Sequence, residues 1–261
     1  MRTPDQEGFF GPGSVTWRVM ERPEIWVGGF RAAYLQALHP RVMRGTWQNT
    51  AFADRREAWG RFLRTAEFVR IRTYGSRAEA ERAGRRIQKI HASLTGLDPD
   101  GTRFRLDEPG LLLWVHCGEV SSYLDVARRG GMPLPGADAD AFVAEQRRAS
   151  AVIGLDPAQV PGTVADLEAC ITAMRPQLHV TPEARQAMLR SVNLRLPAAQ
   201  LPFRLAVPSI GALAFASLPR WGRRIYGTPG VPVTDLAATA ALRAFHEGAA
   251  RLPGGLLRVA A

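Results

Sequence analysis

Residues 76–96 read SRAEAERAGRRIQKIHASLTG, and their spacing decides the fold class. Ser76, followed three residues later by Glu79, makes a capping box in which hydroxyl and carboxylate each satisfy the other residue's free helix amide. Gly96 supplies a stop at the far end. Between them Ala80, Gly84, Ile87, His91 and Leu94 recur at intervals of three and four, the signature of one helix face. The opposite face is rich in arginine. A helix is therefore predicted over 76–95, with His91 on its inward stripe.

The same period continues on both sides. Residues 55–73 form a helical stretch ended by the turn at Tyr74–Gly75, and 24–38 (EIWVGGFRAAYLQAL) stops at His39–Pro40. Downstream, the polar loop LDPDGTRFRLDEPG leads into 111–129, LLLWVHCGEVSSYLDVARR, which reads as a largely buried helix. GGMPLPGAD divides it from 138–153. Further helices are predicted at 163–174, at 182–195 behind Thr181–Pro182, and at 234–250 behind Thr234–Asp235. Prolines and glycines punctuate 197–230 and leave its boundaries open. Only GTRFRLD offers a hairpin. The expected architecture is all-α, a single-domain helical bundle over 1–261.

Composition narrows the function classes. An apolar fraction of 46% with 22% charged residues is that of a folded chain with a substantial core. Two cysteines, Cys117 and Cys170, match neither a disulfide framework nor a zinc spacing. No stretch reaches the ~18–20 apolar residues of a membrane span, and MRTPDQEGFFGPG has no secretory h-region, so a cytoplasmic setting is expected. The net charge of +10 comes almost wholly from arginines spread along the chain, with Lys89 the only lysine. That dispersal fits solvated helix faces better than a phosphate-binding stripe. GxSxG, GxGxxG, Walker and HExxH motifs are absent. None of the five histidines follows a glutamate by three, which removes the di-iron bundle signature.

Two features remain. A core histidine bonded to a backbone carbonyl is the ordinary reading of His91 by spacing alone, although Gly84, two turns upstream, leaves room for something large to approach the backbone. In GRFLRTAEFV, Arg61 and Thr65 are four apart and share a face that Phe68 extends. They read as a buried polar pair or an anion contact. The plainer alternative has Arg61 snorkelling to solvent and Thr65 bonding back to a carbonyl.

The ordered set ALHPRV, RFLRT, YGSRAEA, KIHASLTG and LLLWVH, followed by LPRWGRRIYG, resembles the MpaB-type oxygenases, the haem-binding family that includes latex clearing protein, the rubber oxygenase. The likeness runs from about Gly11 to Gly230. It implies an all-α fold enclosing one haem b, with His91 as the proximal iron ligand. Arg61 and Thr65 match the family's R-x-x-x-T element beside the haem. There Arg61 offsets negative charge on a propionate or on the oxidant, dioxygen or peroxide, and Thr65 hydrogen-bonds that oxidant. His116 in LLLWVH matches a frequent family position, read as a structural histidine or as lining of the cofactor pocket, and it is the alternative to His91 as iron ligand. Latex clearing proteins carry a lysine where this chain has Arg64. A guanidinium has no lone pair to donate to iron, so the sixth position is expected to be open or water-filled, and Arg64 either contacts the oxidant or points to solvent. The upstream acidic residue of the rubber enzymes has no counterpart but Asp54, which argues against rubber as substrate.

The resemblance thus implies a haem-dependent oxygenase acting on a small apolar molecule such as an alkene or isoprenoid. A passive haem protein is the alternative, and an arginine-driven nucleic-acid or partner-binding module a more distant one.

Overall fold

The computed structural model describes residues 8–50, 55–192 and 201–251. Among them are α1 (Val15–Met20), α2 (Ile25–Gln36), α3 (Pro40–Gln48), α4 (Arg55–Tyr74), α5 (Arg77–Ser93), α6 (Pro109–Arg129) and α7 (Gly136–Ala149). They are followed by α8 (Val164–Met174), α9 (Pro182–Val192), α10 (Leu201–Ala216), α11 (Arg220–Ile225) and α12 (Pro232–Ala250). A two-stranded antiparallel sheet, β1 (Thr95–Leu97) with β2 (Arg103–Arg105), is the sole sheet of the described residues. The fold is all-α, as the period predicts, and no described helix is long and apolar enough to cross a membrane.

Local chemistry explains the boundaries. Both halves of the Ser76–Glu79 capping box are formed. Gly96, by contrast, is no helix cap: α5 ends at Ser93, and Gly96 sits in β1 opposite Phe104. A Cβ at Gly96 would overlap the Phe104 ring, so glycine is required there by packing. Two short helices escape the sequence reading. Ser14 caps α1 by accepting from the Trp17 amide at 3.1 Å. The proline that ends α2 also starts α3, because Pro40 occupies the first helical position, where no amide hydrogen is needed. The open region 197–230 resolves from residue 201 onward into α10, which carries Pro208 inside it, and α11. Residues 193–195 of the expected ninth-helix segment lie outside the described residues, as do 197–200.

Both large core clusters draw on α2 and α6, the most extensively packed pair of helices. Gly28 of α2 lets the Tyr123 ring and Val126 of α6 approach its backbone, so that a Cβ there would stand 2.7 Å from the ring. One core cluster joins Val19 and Met20 to Val120, Leu124 and Phe142. A second joins Val27, Phe30 and Leu38 to Trp114, Leu218 and Leu242. Each such side chain, taken fully out of water, contributes about 1.5–3 kcal/mol. Polar ties hold the register: buried Arg31 donates to Ser122 Oγ at 2.8 Å and to the Ser217 carbonyl at 3.2 Å. The Tyr226 hydroxyl donates to the Tyr34 carbonyl at 2.8 Å.

Gly28→Val is expected to push Tyr123 and Val126 off α2 and lower unfolding free energy by about 1–3 kcal/mol. Gly110→Ala, with open space beyond it, should change it by less than about 0.5 kcal/mol. Denaturant titration of both variants checks the pair.

Candidate functional site

One stripe of α4 carries the site. Trp59, Arg61, Phe62, Thr65, Ala66 and Val69 return every three or four residues and form one wall of a cavity of about 320 Å³. Trp26, Gly29 and Phe30 of α2 also line it, as do Met43 and Thr46 of α3, Ala184 and Met188 of α9, and Glu119 and Tyr123 of α6. The size falls at the lower end of the roughly 300–1,000 Å³ of small-molecule sites. Aromatic rings dominate: Phe62 lies 4.6 Å from Phe30 and is stacked on Trp59 at 5.4 Å between centroids.

Arg61 is the unusual member. Its guanidinium donates to the hydroxyls of Thr50 and, at 3.4 Å, Thr46. No carboxylate among the described residues pairs with it. Burial lowers its pKa, and the nearby Arg64 charge adds to the effect. A guanidinium stays protonated regardless, so the site keeps a positive charge in a poorly hydrated place. The snorkelling alternative is thus not the observed one. Thr65, in contrast, is exposed, and its hydroxyl donates back to the Arg61 carbonyl at 3.1 Å while still touching the cavity. Arg64 is exposed and outside the lining. Asp54 lies outside the described residues.

His91 is half-buried on α5, with Nδ1 shielded from solvent and no hydrogen-bond partner. Its pKa is lowered by burial first and by Arg61 second, with Asp107 opposing. Its imidazole is therefore biased toward the neutral form that can donate a lone pair. Arg61 is the common neighbour of cavity and imidazole, for His91 itself is outside the lining. The carbonyl partner of the ordinary reading is not present among the described residues. Gly84 does not open a space either. The Val152 carbonyl and side chain fill the position its Cβ would take, so that glycine serves close packing against the turn at 150–153.

His116 is buried and also outside the lining. Burial, with a smaller push from Arg72, drives its pKa down to about 3. The sequence reading missed Arg72 itself. This nearly inaccessible residue ion-pairs with Glu119 at the cavity wall. It missed Tyr34 as well, whose hydroxyl meets Ser191 Oγ at 2.6 Å and whose pKa burial raises to about 12. Arg72 was discoverable, since it continues the Arg61, Thr65 and Val69 stripe at helical spacing. Tyr34 needs the contact with α9, which no local pattern reveals.

With this geometry in view, the comparison with known families is decisive. Residues 17–251 match the family described as "ER-bound oxygenase mpaB/B'/Rubber oxygenase, catalytic domain". The chain belongs to that family. No curated protein and no solved structure matches it. The oxygenase character of the family carries over to this member at the level of reaction class.

The buried histidines set an acid response. An unfolded chain takes up the His116 proton near pH 6.5, whereas the folded chain resists until about pH 3. Protons therefore favour the unfolded state throughout that window, and stability falls as pH drops through it. The expected loss is up to about 1.4 kcal/mol per pH unit from this group. His116→Gln should flatten the slope of denaturation midpoints measured from about pH 7 to about pH 5. An unchanged slope would assign the response to other groups.

Proposed function

We propose that the chain is a single-domain, haem b-dependent oxygenase that inserts oxygen from dioxygen or peroxide into a small apolar molecule of alkene or isoprenoid type. Family membership supports the reaction class. The observation that carries the finer reading is a half-buried cation with only hydroxyl partners among the described residues, Arg61, beside an aromatic cavity and a neutral-biased imidazole with an unused nitrogen.

In donor chemistry these residues suit a haem, with His91 standing outside the present lining of the cavity of about 320 Å³. An iron porphyrin asks for a neutral nitrogen donor, a counter-charge for its carboxylates and an apolar shell. His91 offers the first, Arg61 the second and the Trp59–Phe62–Phe30 wall the third. Bound haem supplies redox-active iron for oxygen activation. The protein's own residues do the rest. Arg61 holds positive charge where a carboxylate or a developing anion needs it, and desolvation strengthens that attraction. Thr65 exchanges its bond to the Arg61 carbonyl for one to a ligand in the cavity. The aromatic wall excludes water and binds hydrocarbon through burial. Arg72 fixes Glu119 at the wall, and His116 acts as a packed, neutral structural histidine.

Protein reconstituted with haem is expected to show a Soret band that His91→Ala abolishes, and oxygen uptake that rises with an added alkene. Arg61→Ala should weaken haem retention by about tenfold while leaving the fold intact. A colourless preparation from haem-supplemented cells, or a Soret band indifferent to His91→Ala, would contradict the assignment.

A further inference from the structure

Outside the cavity, the two cysteines meet. Cys117 on α6 and Cys170 on α8 are 53 residues apart in sequence, yet their sulfurs stand 3.5 Å from each other, with the Cys117 thiol donating to Cys170. Both are free. Cys117 is fully buried in the first core cluster, whereas Cys170 packs against that cluster's edge and is half-buried. Packing alone does not need this arrangement, since a thiol behaves as a small apolar group and carries only a weak donor. Neither residue lines the cavity, so the oxygenase reading leaves the pair unused.

We propose that Cys117 and Cys170 form a peroxide-responsive dithiol–disulfide pair that ties α6 to α8. The asymmetry of exposure assigns the roles. Cys170 is the sulfur a small oxidant reaches, and Cys117 resolves the intermediate from within the core. The hydrogen bond from Cys117 lowers the Cys170 pKa against the opposing effect of burial, and the same contact raises that of Cys117. Cys170 is thereby the more readily ionised of the two thiols, and the thiolate is the nucleophile.

The steps balance with hydrogen peroxide as the oxidant. The Cys170 thiolate attacks one peroxide oxygen, the O–O bond breaks, and the departing hydroxide takes a proton to leave as water. Cys170 is then a sulfenic acid. The Cys117 sulfur attacks the Cys170 sulfur, the S–O bond breaks, and the hydroxide leaves as a second water with the Cys117 proton. Two thiols have lost two electrons and two protons, and one peroxide has become two waters. Closing the bond draws the sulfurs from 3.5 Å to about 2.05 Å. It thereby tightens α8 against the helix that also presents Glu119 and Tyr123 to the cavity.

The test uses full-length protein, reduced, freed of reductant and treated with equimolar hydrogen peroxide. Catalase then stops the reaction, and the protein is denatured and alkylated with maleimide. The expected result is loss of both maleimide adducts, a mass lower by two hydrogens, and a proteolytic fragment joining the Cys117 and Cys170 peptides within one chain. Cys117→Ser should instead accumulate a dimedone-trappable sulfenic acid at Cys170, and Cys170→Ser should react with peroxide at least about tenfold more slowly. The wild-type measurement stands even if a variant misfolds. Retention of both adducts, over-oxidation of Cys170 without closure, or a bridge only between chains would overturn the proposal.

Discussion

The close approach of α2 and α6 is the constraint on which the rest depends. It exists because Gly28 presents no side chain where Tyr123 and Val126 press in. Both core clusters draw on these two helices, so a shift there would disturb packing on either side. The same contact places Glu119 and Tyr123 on one side of the cavity and Gly29 and Phe30 on another. Site and scaffold are therefore one structural problem.

Against that rigid pair, the site's chemistry is electrostatic. Among the described residues, most arginines face solvent or meet carboxylates, as Arg70 does with Glu67 and Arg18 with Asp138. Arg61 meets only threonine hydroxyls among the described residues. A desolvated cation without an anion is costly, and its retention beside an aromatic cavity is the kind of unbalanced charge that a bound anionic group would compensate. Its field also disfavours protonation of His91, keeping that imidazole's lone pair available. One residue thus conditions both the cavity and the candidate ligand.

Much of this was legible in the sequence, and the limits have physical causes. Helical periodicity located the long helices and put Arg61 and Thr65 on one stripe, because side-chain direction in a helix follows spacing directly. It missed α1, six residues long, and α3, nine residues long, whose starts are set by Ser14 and Pro40 instead. Glycines were misread where their role depends on a distant partner: Gly84 accommodates Val152 and Gly96 accommodates Phe104, not a ligand or a helix end. The Arg72–Glu119 pair and the Cys117–Cys170 contact join separate helices, and one-dimensional spacing carries no trace of either.

The central claim is that His91 and Arg61 hold a haem b. A pyridine haemochrome assay on the protein as isolated tests it most directly. The account predicts a b-type spectrum at roughly one haem per chain. A protein that takes up oxygen with an alkene while yielding no haemochrome would contradict it.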